Sequence, residues 1–220
     1  MKNKKVPVPT VLKKLRKLYT PPQTFLNFDT PFHLLIATIL SAQCTDKRVN
    51  MVTPALFKKY PDPEALRKAP MEEIQKDIHS CGHFRNKAKY LKAIASILLE
   101  KYDGEVPQTM DELLTFPGVG RKTATVVLHA AFKKQEGIAV DTHVWRVSKR
   151  LGLSQANYQD KIELDLIRQT PRANWGELHT LLISHGRAVC TAFKRQCDTC
   201  PFQKECPSSL VLGRKDQAKL

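Results

Sequence analysis

FPGVGRKTA, Phe116 to Ala124, reads as a tight turn that opens a helix. The pair Pro117-Gly118 must stop any helix arriving from the N-terminal side. Upstream, Thr109 followed three residues later by Glu112 has the form of a capping box, so a short helix leads into the turn. Downstream, Ala124, Val127, Leu128 and Ala131 fall at inward-facing spacing and predict a helix from about Arg121 to Phe132. Helix, hairpin, helix is the local reading. Two glycines allow positive φ angles, so successive N–H groups of the turn converge on one concavity at the mouth of the second helix. Pro117, Gly118, Val119 and Gly120 would then seat a phosphate oxygen and position a nucleic acid strand without reading its bases. An ordinary helix-to-helix turn accounts for a bare PGVG equally well.

Lys122 falls in the first turn of the second helix, where the backbone dipole places about half a positive charge and repels a cation. The residues alone leave two readings open. Lys122 is a phosphate-contacting cation beside an anion seat, or it is a nucleophile whose neutral amine is favoured by the helix terminus together with partial burial.

Outward from the hairpin the 3.6-residue period recurs, and no run of alternating β-branched residues breaks it, so the fold class is all-α. Thr10 is expected to cap a first helix with Val11, Leu12, Leu15, Leu18 and Tyr19 on one side and Lys13, Lys14, Arg16 and Lys17 on the other. Further helices are predicted over residues 31–42, 46–59, 64–69, 71–79 and 86–102, the last ended by Asp103-Gly104. Asp141 is placed to cap a helix over 142–151 that closes at Gly152, and Asn174, with Glu177 three residues on, to cap the last long helix.

Thirty-six lysines and arginines against 21 acidic residues leave a formal charge of +15 over 220 residues, which favours a polyanionic partner. The longest apolar run, LLIATIL at 34–40, falls well short of the roughly 18 residues of a membrane span, so no membrane association is expected. The basic start MKNKKVPVPT leads into no apolar targeting region, which points to the cytoplasm, or to the nucleus in a eukaryote.

Four of the six cysteines crowd near the C-terminus as C-x6-C-x2-C-x5-C: Cys190, Cys197, Cys200 and Cys206. Four soft thiolates in one short loop suit a metal centre, either tetrahedral zinc or an iron-sulfur core. Only Cys197 and Cys200 form a close pair, and prolines follow Cys200 and Cys206, which favours a [4Fe-4S] cluster over zinc. Lys194 and Arg195 lie inside the first loop, as phosphate contacts or as plain surface charges. Cys44 and Cys81 stand apart and read as buried and inert.

Together, LTFPGVGRKTATVV (114–127), AVDTHVWRV (139–147), LSAQCTD (40–46) and the four-cysteine loop resemble the endonuclease III family of DNA glycosylases, over about residues 21–207. The resemblance implies two helical domains with a DNA-binding cleft between them. One is a six-helix barrel with the helix-hairpin-helix over residues 22–135, and the other an iron-sulfur cluster domain formed by residues 1–21 and 136–220. It implies a bifunctional glycosylase and abasic-site lyase that removes oxidised pyrimidines from duplex DNA in base excision repair. Lys122 becomes the nucleophile that attacks C1′ and nicks by β-elimination through a Schiff base; Asp141 becomes its partner carboxylate. Gln43 resembles the residue that enters the duplex beside the orphaned base. A second wedge follows a glycine in this family, where CGHFRNKA places His83 and Phe84; this departs from the family pattern and leaves both residues as candidates. The implied partner is double-stranded DNA with damaged bases or abasic sites, bound by a monomer. The rivals are a glycosylase of the same fold with adenine or mismatch specificity, which Lys122 disfavours, and a non-catalytic iron-sulfur DNA-binding protein.

Overall fold

The structure is a computed structural model and describes residues 5–20, 22 and 24–218. Residues 1–4 of the basic start and the domain edge expected at residue 21 lie outside the described residues. Among the described residues regular structure is helical, with one isolated β-bridge between Cys190 and Arg195, and the all-α expectation is borne out. The chain divides into two compact units, Thr24–Glu136 and Met1–Gln23 with Gly137–Leu220.

The unit Thr24–Glu136 is built around α2, Pro31–Leu40, whose residues Phe32 to Leu40 are all buried. Thr30 starts it by accepting from the His33 amide at 3.1 Å, and Pro31 occupies the first turn, where no amide donor is needed. Three helices pack on α2: α3 (Asp46–Lys59), α6 (Phe84–Lys101) and α8 (Arg121–Phe132). The short α4 (Pro63–Lys68) and α5 (Met71–Asp77) lie on α6, and α7 (Met110–Leu114) lies on α8. Leu34, Leu35, Leu40, Leu91, Ile94, Leu98 and Leu128 are fully buried at their centre, each stabilising the unit by about 1.5–3 kcal/mol. Asp103 and Gly104, both at positive φ, end α6 by sending the Gly104 amide back to Leu98 O at 2.9 Å.

The second unit holds α1 (Val8–Arg16), α9 (Thr142–Leu151), α10 (Gln159–Gln169), a short 3-10 turn at Arg172–Asn174, and α11 (Trp175–Ala188). Arg16 joins α1 to α11 through two bonds to Glu177, at 2.7 and 2.6 Å. The helices α9 and α11 approach closely at Gly186, where an added Cβ would lie 3.1 Å from the His143 Cβ. Three expectations fail locally. Helix α1 begins at Val8 after an extended Pro7, so Thr10 is inside it, because Pro9 fits the first turn and needs no cap. Asn174 makes no cap bond to α11's backbone and instead donates to Glu177 at 3.2 Å. Helix α10 was not anticipated.

Candidate functional site

The hairpin between α7 and α8 is a turn in which Pro117 takes the second position and Gly118, at φ +78°, the third, the pattern of a type II turn. Only one of its two glycines uses positive φ; Gly120 sits at φ −100° as the N-cap of α8. Having no side chain, Gly120 leaves α8's first amides, which lack intrahelical partners, without a capping oxygen. Val119 does not belong to the expected phosphate seat. Its side chain is 7% exposed, and its amide donates to Phe116 O at 3.1 Å, so it anchors the turn to the core. Lys122 is exposed on α8's first turn. Of the two effects invoked for a neutral amine, the helix terminus is present and the partial burial is not.

A second constellation forms where the end of α2 meets the start of α6. Gln43 and His83 are both exposed, both in the left-handed region at φ 53° and 58°, and the His83 Nε2 lies 2.8 Å from the Gln43 Oε1. Non-glycine residues rarely adopt this conformation, which stores about 1–2 kcal/mol per residue. Phe84 is half-buried against the core, so His83, not Phe84, is the side chain presented beside Gln43. Beneath the pair, the ammonium of Lys87 donates to Leu40 O at 2.8 Å and Ala42 O at 2.7 Å. Lys87 is 4% exposed, and burial pushes its pKa below the ordinary lysine value. Cys44 and Cys81, read as partnerless, stand close to each other, and burial above all, with Cys44 adding to it, pushes the Cys81 thiol up to about 11.

Asp141 belongs to the other unit. It caps α9 as expected, accepting from the Val144 amide at 2.7 Å, which orients the carboxylate and satisfies one orphan donor. The preceding strand of chain is held by His179, whose Nδ1 lies 2.7 Å from Ala139 O.

Cys190, Cys197, Cys200 and Cys206 line one cavity, partly open to solvent, together with Arg150 and His185. Among the described residues no group of three or more histidine, cysteine or carboxylate side chains is arranged to hold a metal ion. The four sulfurs share the lining of that one cavity, and four thiolates are the ligand set of an iron-sulfur cluster. The donor set fits such a group. Burial pushes the Cys200 thiol up to about 12, with Cys190, Cys206 and Cys197 adding to it, and burial pushes the Cys206 thiol up to about 11, so thiolates here need a positive core. Polar groups also approach three of the sulfurs: Arg150 Nη1 at 3.5 Å from Cys190, His185 Nε2 at 3.6 Å from Cys200, and the Ser208 amide at 3.4 Å from Cys206. His185 is 1% exposed, and burial alone lowers it to about 4; Tyr19 Oη lies 3.2 Å from its Nδ1.

Lys194 is exposed on the loop, but Arg195 is not the free phosphate contact that its position suggests. Its guanidinium donates to Ser208 O at 2.8 Å and stands 3.7 Å from Asp216, a carboxylate that also takes two bonds from Arg150 at 3.0 Å. These arginines tie the C-terminal segment to the cysteine loop. No local signal in the sequence indicates that tie, because Asp216 lies well beyond the last cysteine.

Residues 36–171 match the HhH-GPD superfamily of base excision DNA repair proteins. The chain is 51% identical to the endonuclease III of Synechocystis sp. over 209 residues, 95% of each chain. It is 45% identical to the endonuclease III of Bacillus subtilis over 211 residues, 94% of this chain and 95% of that one. A solved structure of a trapped endonuclease III–DNA covalent intermediate, an estranged-adenine complex, is similar with a TM-score of 0.88 at 42% identity, covering 94% of this chain and 97% of that chain. With the hairpin, the capped Asp141 and the four-cysteine cavity in place, these likenesses run along almost the entire chain, which belongs to the endonuclease III family of the HhH-GPD superfamily.

Proposed function

We propose that this chain is a bifunctional DNA glycosylase and abasic-site lyase that removes oxidised pyrimidines from duplex DNA as a monomer. The observation that carries the reading is Lys122, exposed on the first turn of α8 immediately after a glycine N-cap. That the similar solved complex is a covalent protein–DNA intermediate supports a nucleophile in the family. The Lys122 amine bonds to C1′ as the glycosidic bond breaks and the base leaves with its electron pair, taking up a proton. Proton loss from nitrogen and opening of the sugar ring give a Schiff base. Removal of a 2′ proton then expels the 3′ phosphate by β-elimination. Asp141, already oriented by the Val144 amide, steadies the cationic charge at C1′ and carries protons. The open amides of α8 hold a backbone phosphate, and Gln43 and His83 fill the space left when the nucleotide leaves the stack.

Cys190, Cys197, Cys200 and Cys206 hold a [4Fe-4S] cluster in this reading. When bound, it supplies a covalent cross-link that fixes the Lys194 loop to the end of α11. Arg150, His185 and the Ser208 amide orient the ligating sulfurs.

Borohydride trapping on a duplex bearing one oxidised pyrimidine tests the proposal. The wild-type protein is expected to form a stable protein–DNA adduct, and Lys122→Gln to form none while still retaining duplex affinity. An adduct that persists in Lys122→Gln, or a wild-type protein that binds and never traps, would overturn it.

A further inference from the structure

Two cysteines that the repair chemistry leaves unused flank the pair Gln43 and His83. Cys44 follows Gln43 just after α2, and Cys81 precedes Gly82 and His83 just before α6. The two backbones touch here, since a Cβ on Gly82 would lie 3.3 Å from Gln43 O. On one side of that contact the Gln43 and His83 side chains meet at 2.8 Å; within it, Cys44 and Cys81 lie close enough to act on each other. Cys81 is fully buried, whereas Cys44 is only half-buried and can be reached from solvent. Lys87 and Arg48 lower the Cys81 pKa but burial outweighs them, so the half-buried Cys44 is the thiol placed to react first. A disulfide needs Cβ atoms about 3.5–4.5 Å apart, and the two cysteines already stand on loops whose backbones touch.

We propose that Cys44 and Cys81 are an oxidisable dithiol that a small disulfide such as glutathione disulfide converts into a cross-link between the Gln43 loop and the His83 loop. The Cys44 thiolate attacks one sulfur of the reagent, forming a mixed disulfide and releasing one glutathione thiolate. Cys81, losing its proton to solvent, then attacks the Cys44 sulfur and expels the second glutathione. Two protein thiols are oxidised, and one glutathione disulfide is reduced to two thiols. The cross-link holds the loops at the spacing at which Gln43 and His83 bond to each other, so neither side chain can separate from the other to enter a duplex. This last effect rests on the proposed role of Gln43 and His83, whereas the bond itself does not.

The test is to equilibrate the holoprotein with graded ratios of reduced and oxidised glutathione, alkylate, and map peptides without reduction. The expected result is the loss of two alkylatable thiols and a Cys44–Cys81 linked peptide pair, reversed by dithiothreitol, with the visible absorbance of the cluster unchanged. Affinity for a duplex containing a stable abasic-site analogue should fall in the oxidised protein and return on reduction, and Cys44→Ala should be insensitive to the reagent. Cysteines that stay alkylatable at the most oxidising ratio, or a mixed disulfide that accumulates on Cys44 without closing, would overturn the dithiol. A cross-link that forms without changing affinity would overturn the restraint on the wedge loops. Because the peptide map needs no DNA, failure of the bond and failure of the repair reading are told apart.

Discussion

Lys87→Met interrogates how the end of α2 is held. The last carbonyls of a helix have no intrahelical donors, and here the Lys87 ammonium, 47 positions from Leu40, donates to Leu40 O at 2.8 Å and, in the turn just after the helix, to Ala42 O at 2.7 Å. Methionine keeps most of the apolar stem and removes both donors. Bonds from a charged donor are worth about 1.5–3 kcal/mol each, so the gross loss is about 3–6 kcal/mol. Removing the charge also removes its desolvation, the largest cause of Lys87's lowered pKa, and that relief offsets part of the loss. A net destabilisation of about 2–3 kcal/mol follows.

Urea denaturation measures that figure, and hydrogen exchange locates it. Protection should fall first at the amides of Ala42 and Cys44, which close the turn after α2 on Ile39 O and Ser41 O. Duplex affinity should fall as well, since the left-handed Gln43 conformation loses the support beneath it. A Lys87→Met protein as stable as the wild type, with unchanged exchange over 42–45, would mean that the buried charge costs as much as its two bonds return, and the reasoning would fail.

Gly118→Ala should destabilise by about 2–5 kcal/mol, because a Cβ there meets Tyr90 Cδ2 at 2.5 Å on a backbone at φ +78°, whereas Gly120→Ala, with open space around it, should cost under about 1 kcal/mol; thermal melts separate the two. Lys122→Gln relieves a cation at a helix N-terminus and should raise stability by about 0.3–1 kcal/mol in the same assay, the small size reflecting the exposure of the side chain. The Arg16 hydrogen bond is the largest cause that holds Glu177 below its ordinary pKa of 4.5, so this pair stabilises the fold above that value and the contribution is lost as pH falls through the depressed one. With side chains 48% and 36% exposed the pair is worth at most about 1 kcal/mol, and Arg16→Ala should remove that much of the acid-side slope in stability against pH.

Elements with complete local signals were legible to the residue. Helices α3, α8 and α9 have the predicted bounds because Thr45, Gly120 and Asp141 mark their starts and Gly152 closes the last. Helix α10 lacks such marks: Tyr158 makes no side-chain cap bond, and its apolar stripe is thin, with Ile162 and Leu166 buried but Leu164 exposed. At the site, the roles that the sequence leaves hidden are those that depend on distant partners. Lys87 carries no local signal and meets the end of α2 only in the folded chain. Arg195 looks free until Ser208 and Asp216 fold back, and Cys44 looks solitary until Cys81 arrives. Periodicity reports what one segment does to itself, and it is silent on contacts made by a segment far along the chain.

Lys87 and Lys122, both in the unit Thr24–Glu136, occupy helix ends of opposite sign. Lys87 sits at the C-terminus of α2, where the dipole and two carbonyls welcome a cation, and it is buried and fixed. Lys122 sits at the N-terminus of α8, where the dipole opposes it, and it is exposed with no capping side chain beside it. A fold gains nothing in stability from the second placement, so the position is explained by what it meets. A phosphate seated on the α8 amides, as proposed, would reverse the local field and draw the side chain inward, so the terminus that repels Lys122 in the free protein would bring it to the backbone of bound DNA. In this reading the unfavourable site is completed by its substrate, while the favourable one is completed by the protein itself.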